Sequence, residues 1–138
     1  MSDDQIRAVL DEFIAGYANK DADALIALFD EQAVVFGTGA DEVREGRDEM
    51  AEQLRRDFEQ SGSLSFDPGH VSVGSAGDAG WITTPDAVVS GDAGGQSFSM
   101  TIRGTIVLRR SGDGWRIVHS HISTPTAEQA EGESFVTG

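Results

Sequence analysis

The hydrophobic positions in the first third of the chain repeat with helical spacing. The first stripe comprises Ile6, Val9, Leu10, Phe13, Ile14 and Tyr17. Its three-and-one spacing predicts an amphipathic helix, and Asp21 is placed to cap a short second helix. A third helix follows, with apolar side chains at Met50, Leu54 and Phe58. Between the second and third helices, the apolar run 33–36 predicts a short strand.

From residue 64 the hydrophobic period changes from about 3.6 to two, which is typical of strands. Strands are predicted near 64–75, 79–90, 96–110 and 114–124, with glycine-rich turns between them. Short connections make neighbouring strands antiparallel, and Pro85 predicts an edge position or a bulge. Helices followed by an antiparallel sheet indicate the α+β class. We expect one domain over residues 1–125 and an acidic, partly ordered tail over 126–138.

The last two predicted strands each have two distinct faces. In strand 96–110 one row is apolar: Phe98, Met100, Ile102, Ile106 and Leu108. In a sheet with one solvated face, this row would meet the helices and the alternate row would meet water. In the final strand, alternation puts Trp115, Ile117, His119 and His121 on one face. Val118, Ser120 and Ile122 then share the other face.

Composition excludes several classes of partner and chemistry. The 24 acidic and 10 basic residues give a formal net charge of −14, which repels nucleic acid and anionic membranes. This acidity fits a well-solvated surface or adaptation to high salt. The chain has no cysteine, hence no disulfide or thiolate site. No apolar run approaches the roughly 20 residues of a membrane span, and the start is not basic like a signal peptide, so we expect a cytoplasmic protein.

Several segments together resemble a known family. They are Ala79-Gly80-Trp81, Thr101-Ile102-Arg103-Gly104-Thr105, the closing segment 109–125 with its Gly112-Asp113-Gly114-Trp115 turn, and the loop 36–43 before Gly46-Arg47. In this combination the chain resembles the SnoaL-like branch of the nuclear transport factor 2-like superfamily over roughly residues 4 to 125. The closing segment is also similar to the association domain of the calcium/calmodulin-dependent kinases.

The resemblance implies a cone-shaped fold with a conical pocket and a convex sheet face that packs against a second subunit. It implies a pocket lined by Phe13, Tyr17, Trp81, Thr83, Arg103, Thr105, Ser120 and Ile122. It implies a homodimer interface formed by Phe98, Met100, Ile102, Ile106, Trp115, His119 and His121. The expected ligand is a small, largely apolar or cyclic organic molecule, with no cofactor.

The resemblance to ketosteroid isomerases does not extend to their catalytic groups. The helical tyrosine falls at Phe13, the aspartate base at Gly37, and the second oxyanion donor near Val107. Without these groups, proton removal and enolate stabilisation by that mechanism are not expected. Catalytic residues therefore stay unassigned. An isomerase, cyclase or hydratase-like enzyme and a non-catalytic dimerisation or ligand-sensing module both stay open.

Arg103 is the one cation that the resemblance places in the pocket. The arginines of the kinase association domains fall here at about Thr83, Thr105 and Ile122, so that anion clamp is absent. Arg103 would bind a ligand, or would pair with an acid such as Asp86. Asp86 itself, beside the proline of the predicted bulge, is a further candidate for a general base.

The histidine pair offers a third possible function. His119 and His121 stand two residues apart on one strand face, a spacing that can hold a divalent cation if His70 or an acid supplies a third ligand. The resemblance instead implies interface histidines, and we expect no metal.

Overall fold

The computed structural model describes residues 2–136, which form three helices and seven strands. The helices are α1 (Ser2–Ala18), α2 (Ala22–Ala27) and α3 (Gly46–Glu59). The strands are β1 (Phe29–Phe36), β2 (Val43–Glu45), β3 (Leu64–Asp67), β4 (Ser72–Ala76), β5 (Ala79–Ala93), β6 (Gln96–Ser111) and β7 (Gly114–Ser123). Residues 124–136 contain turns but no helix or strand.

One open, curved sheet carries the helices on its concave side. The strand order is β2-β1-β7-β6-β5-β3, and β4 pairs with β5 beside β3. Only the β1–β7 pair is parallel, and all other pairs are antiparallel. The predicted α+β class and cone-like architecture are confirmed.

Helix α1 is held on the sheet by its apolar stripe. Ile6, Val9, Leu10 and Phe13 are buried there, as the sequence predicts. Asp21 caps α2 as predicted, because its carboxylate accepts from the Ala24 N–H at 3.1 Å. Gly16 allows α1 and α2 to approach closely, since a Cβ at this position would stand 2.7 Å from Leu25 Cγ.

The predicted strand 64–75 is two strands, separated by the connection 68–71. Both β3 and β4 pair with β5, and the register of β5 against β6 shifts between Thr84 and Ala87. Pro85 lies at this shift, so the predicted bulge is confirmed. Proline has no N–H to donate to a ladder, and the pairing with β3 and β4 is interrupted beside it.

A second bulge changes which side chains of β7 share a face. Leu108 pairs with Ile117, but Val107 pairs with His119, so Val118 is an extra residue. Trp115 and Ile117 are therefore buried in the core, whereas His119 faces outward. The prediction that Trp115, Ile117 and the histidines share one face is wrong, because a bulge reverses the alternation.

The register of β6 is one residue away from the one implied by the family resemblance. Ile106 pairs with the inward-facing Ser120, and Thr105 pairs with His121. The apolar row of β6 therefore faces the helices, and the Thr101, Arg103, Thr105 and Val107 row faces outward. A shift of one residue moves every side chain of a strand to the other face.

Candidate functional site

A cavity of ≈ 310 Å³ lies between helices α1 and α3 and the concave face of the sheet. Its lining is mainly apolar and includes Phe13, Phe29, Val35, Met50, Leu64, Phe66, Val89, Phe98, Met100, Ile102 and Ile122. Of the residues predicted to line the pocket, Phe13, Tyr17, Ser120 and Ile122 do so. Ser120 is only 4% exposed and lies in an inner row with Val35 and Ile106.

The other four predicted pocket residues lie on the opposite face of the sheet. Trp81 pairs with Val107, and Thr83 pairs with Thr105, on the outward side of β5 and β6. Arg103 belongs to the same outward row of β6. The prediction that Trp81, Thr83, Arg103 and Thr105 line the pocket is wrong because of the register of β6.

Most of the residues predicted for the dimer interface lie in the interior, and the prediction for them is wrong. Phe98, Met100 and Ile102 line the cavity, and Ile106 is buried in the core. The Trp115 indole donates to Gln5 Oε1 at 3.0 Å. The Arg110 guanidinium lies 4.5 Å from the Trp115 ring centroid. These five apolar residues therefore belong to the interior, not to the convex face.

The two histidines lie on the convex face, as the resemblance implies. His119 Nδ1 lies 2.7 Å from the Val34 carbonyl oxygen. The Phe36 ring contacts both imidazoles, with centroid distances of 5.2 Å to His119 and 5.5 Å to His121. Within residues 2–136, no group of three or more histidine or acidic side chains is arranged to hold a metal ion. The histidine pair has no third ligand there.

Asp86, at the β5 bulge, is hydrogen-bonded to His70 in the connection between β3 and β4. Its carboxylate accepts from the His70 backbone N–H at 2.8 Å and lies 2.5 Å from His70 Nδ1. These bonds hold the pKa of Asp86 below its usual value and raise that of His70. Asp86 thus pairs with His70 and not with Arg103, and neither Asp86 nor His70 lines the cavity.

The polar end of the cavity is built by side chains that the sequence patterns did not single out. Gln53 and Asp57 lie on the cavity side of α3 with the apolar Met50, and Glu42 and Arg44 come from the β1–β2 turn and β2. Gln53 is 7% exposed and joins the two elements. It accepts from Arg44 Nε at 2.9 Å and donates to Asp57 Oδ1 at 2.8 Å.

Glu42 and Arg56 fix the turn against α3. The Glu42 backbone carbonyl accepts from the Gly37 N–H at 2.8 Å, and its carboxylate accepts from the Gly39 N–H at 2.9 Å. Arg56 donates to Glu42 at 3.1 Å and to Asp41 at 2.7 Å. Asp57 takes part in none of the ion pairs found among residues 2–136.

Burial perturbs the two titratable groups nearest this end. Removal from water raises the pKa of the Asp57 carboxyl, and the negative charge of Glu42 raises it further. The Gln53 hydrogen bond opposes that rise. Burial also raises the pKa of the Tyr17 phenol, so Tyr17 is a neutral hydroxyl at physiological pH. Carboxyl groups with a raised pKa in a cavity are suited to proton transfer.

The spacing along α3 is the sequence feature that could have pointed to Gln53 and Asp57. Gln53 and Asp57 follow Met50 by three and seven residues, which is one helical face. Polar residues on the buried side of a helix are unusual and indicate a network or a site.

The match with known families rests on nearly the whole folded region. The model of the SnoaL-like domain matches residues 6–127, from the first buried residue of α1 to just beyond β7. The chain belongs to the SnoaL-like domain family. No curated protein matches this SnoaL-like chain significantly.

Solved structures share the fold. A nuclear transport factor 2-like superfamily protein from Salmonella enterica is 19% identical, covers 97% of each chain and superposes with a TM-score of 0.84. A proposed dehydratase from Streptomyces avermitilis is 21% identical, with a TM-score of 0.82 over 91% of this chain and 96% of its own. A ketosteroid isomerase-like protein from Erwinia carotovora is 20% identical, with a TM-score of 0.75 over 91% and 97%.

In this SnoaL-like domain, Phe13 and Gly37 line the cavity but supply neither a hydroxyl donor nor a carboxylate. Val107 lies on the convex face. Among residues 2–136, no helix has the length and apolarity needed to cross a bilayer.

Proposed function

We propose that the SnoaL-like cavity binds a small organic molecule with a largely apolar body. The cavity itself carries this proposal: its volume is ≈ 310 Å³, and its walls are mainly apolar with a few polar side chains. Ligand sites in proteins have this combination of size, apolar lining and a few convergent polar groups. The ligand body would lie against Phe13 and Met100, and its polar group would meet Tyr17, Gln53 and Asp57.

The polar end also supports proton-transfer chemistry of the isomerase, cyclase or hydratase kind. Asp57 lines the cavity as a carboxyl group with a raised pKa, and Gln53 orients one of its oxygens. Tyr17 adds a neutral phenol on the facing helix. Relatives of the same fold include the proposed dehydratase and the ketosteroid isomerase-like protein. In this chain such chemistry would use Asp57, since the isomerase positions Phe13 and Gly37 carry no acid or hydroxyl.

Blocking the cavity tests the binding proposal. Ser120→Phe adds a ring to a buried position on the cavity wall, whereas Ser99→Phe adds the same ring to an exposed position on β6. A library of small cyclic ketones, alcohols and amines is screened by thermal shift. Compounds that stabilise the wild type and the Ser99→Phe variant should lose their effect in Ser120→Phe. Equal shifts in all three proteins would refute binding in this cavity.

A second candidate function, a homodimerisation or ligand-sensing module, draws on the convex face. Trp81, Val107, His119 and Val34 pair in sequence across four strands and form one outward row. Trp81 is 40% exposed, which is high for a tryptophan. Burying this row against a second copy would remove apolar surface from water. This proposed interface keeps His119 and His121 from the predicted set and adds Trp81, Val107 and Val34.

A further inference from the structure

The charges at the polar end of the cavity do not balance. Three carboxylates, of Asp41, Glu42 and Asp57, meet two guanidiniums, of Arg44 and Arg56. Arg56 donates to both Asp41 and Glu42. Of these three carboxylates, that of Asp57 is in none of the ion pairs of the described part of the chain, and Asp57 lines the cavity.

Arg44 does not pair with the Asp57 carboxylate, because its guanidinium is bound to other partners. Its Nε donates to Gln53 at 2.9 Å, and its NH1 donates to the Asp41 carbonyl oxygen at 3.0 Å. The Arg44 guanidinium therefore faces the β1–β2 turn. A neutral amide, that of Gln53, is the only hydrogen-bond donor to the Asp57 carboxylate found within residues 2–136.

Aromatic rings line the same cavity as this carboxylate, and Tyr17 is close enough for the Asp57 charge to raise the pKa of its phenol. Phe13 packs on Tyr17 with ring centroids 5.0 Å apart, and Phe66 meets Phe13 edge-on at 5.9 Å. Together with Phe98 these rings line the cavity. The faces of aromatic rings attract cations within about 6 Å, most strongly where water is excluded. A carboxylate without a cationic partner in a cavity lined by aromatic rings is suited to recognise an ammonium group.

We propose that the cavity selects an organic cation: a protonated amine on a compact aromatic or aliphatic body. The ammonium group donates to the Asp57 carboxylate and lies against the aromatic rings, while the body fills the apolar part. The net charge of −14 favours the approach of such a ligand and disfavours an organic anion. This inference rests on the proposed small-molecule binding and adds the charge class of the ligand.

The test compares three probes of one shape: 2-phenylethylamine, 2-phenylethanol and 3-phenylpropionate. Isothermal titration near neutral pH with wild-type protein should give saturable, one-to-one binding of the amine about ten-fold tighter than of the alcohol, with the acid weakest. Asp57→Asn should remove the preference for the amine, because it should weaken amine binding far more than alcohol binding. Asp113→Asn changes net charge equally in the exposed β6–β7 turn and should preserve the preference, which controls for nonspecific attraction.

A pH series supplies the same contrast in unmodified protein, should Asp57→Asn fail to fold. Because burial raises the pKa of Asp57, lowering the pH protonates it and should weaken amine binding while alcohol binding stays constant. The other groups facing Asp57 are the charged Glu42, Arg44 and Arg56 and the neutral Tyr17. Acidification through the raised pKa of Asp57 therefore removes its charge.

The outcomes separate the two proposals. Equal affinity for amine and alcohol, or an amine preference that survives Asp57→Asn, overturns the cation proposal while ligand binding stands. Tightest binding of 3-phenylpropionate overturns it in favour of an anion site at Arg44. If none of the three probes binds the wild type, both the cation proposal and the proposed binding function are refuted for ligands of this size.

Discussion

Replacing Gln53 by leucine tests whether the buried amide holds the polar end of the cavity together. Gln53 makes two well-formed hydrogen bonds to charged groups, with Arg44 Nε at 2.9 Å and with Asp57 Oδ1 at 2.8 Å. A third contact, to Glu42 at 3.5 Å, is at the limit of hydrogen bonding. Leucine has a similar volume but cannot make any of these bonds.

The expected loss of stability follows from these contacts. A hydrogen bond to a charged group contributes about 1.5–3 kcal/mol. The Arg44 side chain is 22% exposed and Asp57 borders the cavity, so water can partly replace the amide. Taking the lower value for each of the two bonds gives a loss of about 3 kcal/mol. Burial of the apolar leucine side chain offsets about 1 kcal/mol of this loss. The net loss is about 2 kcal/mol, or roughly 6–10 °C in Tm for a domain of this size.

The assay is urea unfolding of the wild type, Gln53→Leu and a matched control, Gln60→Leu. Gln60 is the exposed C-cap residue directly after the same helix, and its cap bond uses the backbone N–H, so this control should change stability by less than about 0.5 kcal/mol. The Gln53 bond favours the charged form of Asp57, whose pKa burial raises. The cost of Gln53→Leu should therefore shrink as the pH falls through that raised pKa and Asp57 is protonated.

Two results would refute this reasoning. One is a stability loss for Gln53→Leu no larger than that for Gln60→Leu. The other is a cost that grows on acidification, which would mean that the amide stabilises the protonated rather than the charged carboxyl group.

Three further predictions address the core, the bulge and the convex face. Leu54 is fully buried, so Leu54→Ala should cost about 2–5 kcal/mol in urea unfolding, and a cost below about 1 kcal/mol would contradict its place in the core. The hydrogen bond with Asp86 raises the pKa of His70 above 6.5. The stability that this pair gives to the fold is therefore fully present below pH 6.5 and is lost as the pH rises through the raised pKa. His70→Gln should remove that component from the stability–pH curve, and an unchanged curve would exclude the pair as its source. Val107→Glu places a charge in the outward row, so it should convert a dimer into monomers in analytical ultracentrifugation, and an unchanged dimer would place the interface elsewhere.

Local patterns were sufficient for the order and type of most elements. The α1 stripe, the Asp21 cap and the change to period two are properties of neighbouring residues, and each corresponds to an element of the structure. The three-residue strand β2 was not predicted, because so short a strand has no periodicity of its own. The division of 64–75 was not predicted, although the connection holds Pro68 and Gly69, and Gly69 has a φ of 63°.

Which face of each strand points inward was harder to predict from the sequence. The apolar row of β6 alone favours the inward orientation that the structure has, while the register taken from the family resemblance reversed it. In β7 a single extra residue, Val118, moves His119 to the opposite face from Ile117. Alternation gives the relative orientation of neighbours, but a bulge or a shift in pairing depends on the partner strand.

The sequence by itself determined the fold class, the helices and most strands, and it placed Phe13, Tyr17, Ser120 and Ile122 in a pocket by resemblance. Only the tertiary structure decided between the two orientations open to Arg103, and only it brought Gln53 and Asp57 to the polar end of the cavity. Periodicity is set by backbone geometry within a few residues, so it can be read locally. The burial of Asp57 depends on α1 and the β1–β2 turn packing around α3, contacts between segments that are distant in the chain.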